Sequence, residues 1–315
     1  MNRNTKYGLI YAAISIFVGG ILPVVANARP GELDSQVFSG MSSLFQVLFF
    51  IPILLIERWL NHRKSEDTEN ELRIRSDDKF YFGKSKWKLY IIVGLSTSLI
   101  YFLYFEGLLW AGSINGGLTL KTTSIFGLLF GFLLLKERIT KIQVVFAFVL
   151  FFGMVLAVTQ GAFHLLELNL GVILILICAA FWMVVHTCTK PYLSNEIASS
   201  SGLLIARNSI SAAVLIGSYV IIFGEQISMV LDPVNAFFYI IMGLIYGINL
   251  FCWYKMLKFL DVYFTTIIIT PQIIVTSIFG VILLGELFTI YHVIGIILII
   301  GSIIVISQQA KSKVG

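Results

Sequence analysis

Three charged residues stand inside long apolar runs of this chain: Glu106, Lys121 and Arg207. A charge near the centre of a membrane-spanning helix costs about 2.5–3.5 kcal/mol, so such residues mark a function or a buried partner. Glu106 and Lys121 flank the short connection Ala111-Gly112-Ser113-Ile114-Asn115. At the helical rise per residue, each lies about 7 Å below the same boundary. An ion pair lining a cavity, available to a zwitterionic or anionic solute, is expected there. The plainer alternative is that both side chains snorkel to the surface. Arg207 offers a guanidinium fork suited to carboxylates and phosphates, or else fixes the depth of its helix at the interface. Neutral polar residues recur in similar runs: Gln46, Asn249, Thr270 and Gln272, with Thr119, Thr122 and Thr123. In lipid each needs a protein partner or a wet cavity. Thr270 and Gln272 flank Pro271, which lacks an N–H and so frees a backbone carbonyl one turn earlier. Trp182 stands one turn before His186, and a packed aromatic pair is expected. The candidate binding residues are Glu106, Lys121, Arg207, Gln46, Trp182, Asn249, Thr270 and Gln272.

The elements that hold these residues follow from composition. Hydrophobic residues make up 58% of the 315 and charged residues 12%, with a mean hydropathy of +0.92. A soluble domain carries about 25% charged residues. That deficit excludes a soluble enzyme, a nucleic-acid binder or a disordered chain as a reading of the whole. Ten apolar runs predict spanning helices: Tyr7–Val25, Val37–Ile56, Leu89–Trp110, Gly116–Leu135, Ile142–Thr159, Leu170–His186, Ser201–Phe223, Phe237–Met256, Val262–Leu284 and Ile290–Ile306. They are too long and too evenly apolar for barrel strands, so the fold class is all-α, a polytopic membrane protein. The first run exceeds the core of a cleaved signal and is expected to be retained. With the N-terminus inside, Arg29 is the only lysine or arginine in an outer loop. Both termini are therefore predicted to be cytoplasmic, as is the charge-dense linker 57–88. Cys178, Cys188 and Cys252 show no metal-ligand spacing and read as small hydrophobes.

The chain also repeats itself. A shift of 149 residues lays Leu128–Val144 on Ser277–Val293 without a gap, and Phe130, Gly131, Glu137 and Thr140 fall on Phe279, Gly280, Glu286 and Thr289. Residues 1–160 and 161–315 hold five spans each. Five is odd, so the second half is expected to cross the membrane in the opposite sense. The fourth and ninth spans carry Gly127-xxx-Gly131 and Thr276-xxx-Gly280, small-residue spacings that predict close packing between them; Gly243-xxx-Gly247 is a third. Glu137 and Glu286 sit at span ends, where a role in setting the boundary is expected.

Ten helices in two inverted halves, each with a glycine-bearing helix that ends in Glu-x-x-Thr, resemble the drug/metabolite transporter superfamily and within it the EamA family. The residues that carry the resemblance are Gly131 with Lys136-Glu137-Arg138-Ile139-Thr140, and Pro271 with Gly280 and Gly285-Glu286-Leu287-Phe288-Thr289. It implies a secondary transporter, an exporter of a small organic solute such as an amino acid or drug-like molecule. Transport would proceed by alternating access around a central cavity in the plasma membrane. The implied partners are a small-molecule substrate and the lipid bilayer, with no nucleic acid, cofactor or metal; a homodimer is compatible with this reading. The chain departs from the family at Thr122, where a proline is usual, and at Lys121, where small or apolar residues are usual. No GxxxxGK[ST] loop points to an ATP-driven pump. A membrane enzyme is the first alternative, but His62, His164, His186 and His292 are scattered and neither HExxH nor GxSxG occurs. A non-transporting scaffold or receptor is the second.

Overall fold

A computed structural model describes residues 3–66, 87–137, 139–160 and 169–311. Most of the linker 57–88, together with Arg138 and His164, lies outside the described residues. Every regular element among those described is helical: α1 (Arg3–Asn27), α2 (Ser35–Glu66), α3 (Trp87–Ala111), α4 (Ser113–Leu120), α5 (Thr123–Leu135), α6 (Lys141–Val158), α7 (Leu170–Ser194), α8 (Ser200–Phe223), α9 (Pro233–Phe259), α10 (Val262–Ile268), α11 (Gln272–Leu284) and α12 (Ile290–Lys311), with a 3-10 segment at Gly224–Leu231. Among the described residues nine helical stretches are long and apolar enough to cross a membrane, and Ile290–Ile306 adds a shorter tenth. The chain is an integral multi-pass membrane protein.

Two of the ten spans are interrupted. α4 and α5 form the fourth, and α10 and α11 form the ninth. The breaks fall at Lys121–Thr122 and at Ile269–Pro271, positions that the 149-residue shift superposes. At each break the backbone tightens into three-residue steps: Lys121 N–H donates to Leu118 O and Thr122 N–H to Thr119 O, both at 3.0 Å, while Thr270 N–H donates to Ile267 O at 3.1 Å. Pro271 enforces the second break because it has no N–H to offer. The first break occurs without a proline. Such discontinuous spans are tolerated only where protein or a cavity, rather than lipid, surrounds them.

The helices pack in pairs that the inversion interchanges. α1 lies on α9 as α7 lies on α3, and α1 lies on α11 as α7 lies on α5; α2 with α8, and α6 with α12, are self-related pairs. The interrupted spans pack on each other as their small residues predict: α4 against α11 and α5 against α10. Gly280 is needed there, because a Cβ at this position would stand 2.8 Å from Ser113 Oγ. The bundle's two faces are defined by contacts. Gly8, near the start of α1, lies against Leu260, and this near face also holds Lys190 and Asp261. The far face holds Asn27 at the end of α1, together with Ser113 and Glu286.

Several predicted boundaries move, the sixth span running on to Ser194 and the eighth covering Pro233–Phe259, and one of the shifts bears on the charged residues. The fourth span begins at Ser113 rather than Gly116, because Gly112, at a φ of 79°, ends the preceding turn. Lys121 is therefore about 12 Å into its span rather than about 7 Å, close to its middle.

Candidate functional site

The two breaks meet at a cavity of about 510 Å³ of empty space, its open part included. From the interrupted spans come Leu120, Lys121, Thr123, Ile269 and Gln272. From α7 come Trp182 and Met183, and from α9 come Tyr246, Asn249, Leu250 and Trp253. The α9 residues follow i, i+3, i+4, i+7 spacing and so form one stripe of that helix. Trp182 stacks on Tyr246 with ring centroids 6.2 Å apart and planes 17° from parallel.

Lys121 is 5% exposed, and its ammonium donates to Gln272 Oε1 at 2.9 Å across the pseudo-symmetry. Gln272 is held from the other end: its Nε2 donates to the Ser15 backbone oxygen at 2.9 Å, and Ser15 Oγ donates to Asn249 Oδ1 at 2.7 Å. A short polar chain thus runs Lys121–Gln272–Ser15–Asn249, drawing on both halves. Of the eight residues singled out in the sequence, Lys121, Trp182, Asn249 and Gln272 line this cavity.

Two more stand directly behind its aromatic wall. Arg207 is 2% exposed, not at the interface as an anchoring arginine would be. Its Nη1 donates to Tyr254 Oη at 2.7 Å and its Nη2 to Tyr101 Oη at 3.0 Å. Tyr101 in turn donates to Gln46 Oε1 at 3.3 Å, which also accepts from Asn208 Nδ2 at 3.0 Å. Tyr101 and Tyr246 meet edge to face at 4.8 Å, so this layer and the cavity wall touch. The Trp182 indole N–H donates to His186 Nε2, making the expected aromatic pair a hydrogen-bonded one.

The remaining two are placed elsewhere. The Thr270 hydroxyl is spent on the Thr266 carbonyl of its own helix, at 3.3 Å. Glu106 accepts from the Trp110 indole one turn on, at 2.9 Å, toward the far face. The expected Glu106–Lys121 ion pair is not formed. The reason is the early start of α4, which carries Lys121 toward mid-depth while Glu106 stays near the far boundary. Lys255 pairs with Glu57 at 3.0 Å.

The glutamates at the span ends do more than set boundaries. Glu286 reaches across to the other half and closes the start of α4: Oε1 accepts from Ser113 N–H at 2.6 Å and Oε2 from Ile114 N–H at 2.8 Å. The N-cap there is Gly112, which has no side chain to cap with. A carboxylate at this point satisfies two orphan donors and faces the positive end of the helix dipole. Asn27 Nδ2 joins it at 3.4 Å. At the near face Glu137 takes the inverted position. It faces Val262 N–H at the start of α10, whose N-cap Asp261 makes no side-chain cap of its own. Lys190 bridges Glu137 at 3.1 Å and Asp261 at 2.9 Å. Burial holds the Glu137 carboxyl above the usual carboxylate range, against the opposing pull of Lys190. The two threonines that complete the motif stand at the start of the next helix: Thr140 forms a reciprocal capping box with Gln143, and the Thr289 N–H donates to the His292 side chain, at Nδ1, at 3.0 Å.

Among the described residues no group of three or more histidine, cysteine or acidic side chains is placed to hold a metal. A family model described as the EamA-like transporter family matches the chain twice, over residues 6–159 and 169–308. No curated protein matches it. Twenty-eight chains of solved structures match. One of them, a crystal structure, is 18% identical, is covered over 98% of each chain, and superposes with a TM-score of 0.68. At that identity the likeness speaks for the fold alone.

Proposed function

This chain belongs to the EamA-like transporter family, and we propose that it is a secondary transporter that exports a small organic metabolite by alternating access around the cavity between its halves. One observation carries the reading. The cavity is walled by both interrupted spans, and its polar chain, Lys121–Gln272–Ser15–Asn249, crosses from one half to the other. A solute held there touches both halves, so a rocking of one half against the other exchanges its access between the two faces. The clasps of Glu286 and Glu137 are the contacts that such a motion makes and breaks in turn. The near face, where Glu57 at the start of the basic linker pairs with Lys255, is the cytoplasmic one in this reading, in the plasma membrane.

The test is flux. Purified protein in proteoliposomes is expected to move a solute that also raises its melting temperature, since a ligand of the folded state stabilises it. Protein-dependent chemical turnover in detergent, with no flux in vesicles, would replace transport with the enzyme reading.

A further inference from the structure

We propose that the solute is an organic anion: its carboxylate is received by Lys121, and its apolar body lies along Trp182, Tyr246 and Trp253. The proposal rests on the cavity being the transport site and adds the class of solute.

The charge inventory carries it. Among the described residues Lys121 is the only charged one that lines the cavity, and none of those that line it is an aspartate or glutamate. Its partner is a neutral amide oxygen, Gln272 Oε1 at 2.9 Å. An ammonium has three N–H donors, so one such acceptor leaves two to be met. The carboxylate expected beside it, Glu106, is turned to Trp110 instead. A second cation sits behind the aromatic wall with the same deficit. Arg207 is bonded to two phenolic oxygens, and its guanidinium lies over the Tyr101 and Tyr254 rings, 5.4 and 5.8 Å from their centroids. Around it, Arg207 Nε, Gln46 Nε2 and Trp253 Nε1 are buried donors without a hydrogen-bond partner among the described residues, beside one buried acceptor in the same state, Asn208 Oδ1, and two groups that can play either part, the Tyr246 hydroxyl and His186 Nδ1. Buried cations with surplus donors and no counter-charge are costly to keep. A solute carboxylate supplies the acceptors and the charge that are missing. An amine in the same place would add a third positive charge.

The remaining walls fit the rest of such a molecule. Trp182, Tyr246 and Trp253 give the cavity flat apolar faces, and Leu120, Leu250 and Ile269 close the space between them. Pockets of this kind bind a solute's body by apolar contact and fix its orientation with a few polar groups.

Three probes of one shape decide it: 3-phenylpropionate, 3-phenylpropanamide and 3-phenylpropylamine, with inorganic phosphate as a fourth. They are measured on the full-length protein by thermal shift and by counterflow in proteoliposomes. The acid is expected to bind at least about tenfold more tightly than the amide or the amine, the scale of one charge-assisted hydrogen bond. Lys121→Gln is expected to remove that preference while the variant still binds the amide, which also shows that it is folded; Lys121→Arg is expected to restore the preference. Binding of none of the organic probes, equal or better binding of the amine, or phosphate binding as tightly as the acid would overturn the proposal. A Lys121→Gln variant that keeps its preference for the acid would do so too. Flux of the amine alone sinks the anion and leaves transport standing. Tight, Lys121-dependent binding of the acid with no flux of any probe does the reverse.

Discussion

The far and near faces of the bundle carry the same clasp made from different materials. At the far face Glu286 grips two backbone N–H groups at the start of α4, at 2.6 and 2.8 Å, with the neutral Asn27 beside it. At the near face Glu137 faces the start of α10, but its Oε2 is buried without a hydrogen-bond partner among the described residues, and much of its charge is met by Lys190. The first clasp is a helix-end bond. The second is an ion network of Glu137, Lys190 and Asp261 that meets the helix end loosely. Inversion of the repeat places both glutamates, and the residues that differ, Asn27 against Lys190 and Gly112 against Asp261, decide how tightly each one holds. The far clasp is the stronger of the two in this conformation.

The largest expected effect breaks the stronger clasp. Glu286→Ala removes the acceptor of two backbone donors and is expected to cost about 2–3 kcal/mol. The loss is read as a drop in melting temperature in detergent, together with faster labelling of a cysteine placed at Asn27. Equal melting temperatures for variant and parent would dissolve the comparison. Glu137→Gln is expected to cost less, about 1 kcal/mol, because Lys190 keeps Asp261 as a partner. This variant also sharpens the contrast through pH. Burial raises the Glu137 carboxyl above its unfolded value, so the folded state holds that proton more tightly than the unfolded chain does. Stability from this group is therefore present at low pH and declines as pH rises through the ordinary carboxylate value to the raised one. That part of the slope is expected to vanish in Glu137→Gln when melting is followed from acid to neutral pH. A slope unchanged by the substitution would assign it to other carboxyls.

The smallest effect concerns the turn that follows each interrupted span. Lys136 and Gly285 occupy equivalent positions, with φ of 56° and 64°, in the left-handed region that glycine adopts without strain. The far turn has the glycine and the near turn has a lysine. Lys136→Gly is expected to stabilise the protein by about 0.5–1 kcal/mol. A lower melting temperature in that variant would show that the lysine side chain contributes more than its backbone strain costs.

Much of this arrangement can be read from the sequence, and the part that cannot has a physical reason. Apolar runs and the 149-residue shift place the ten spans, because hydropathy and an ordered glycine, glutamate and threonine are one-dimensional signals. Pro271 marks one break directly, whereas the break at Thr122 is visible only through the repeat. Lys121, Trp182, Asn249 and Gln272 stand out as polar or large residues in apolar runs, and all four line the cavity. Tyr246 and Trp253 were legible too, as the i and i+7 members of the stripe that includes Asn249. The reach of Glu286 and Glu137 across the molecule was not. Each looks like the end of its own helix, and only the folded chain brings the start of another helix to it. The Glu106–Lys121 pairing fails for a similar reason, since three residues of extra helix at Ser113 set the depth of one partner and not of the other.

The clasp at Ser113 also bears on how the polypeptide is made. When the fourth span leaves the ribosome, the amide groups at its start and the ammonium of Lys121 have no partners, because Gln272 and Glu286 have not yet been synthesised. That segment enters the bilayer as an unfinished piece, and its completion waits on residues 151 and 173 positions further along the chain. Biogenesis of the front half is thus tied to the last third of translation, and a chain that stops early leaves behind a membrane segment with its charge unmet.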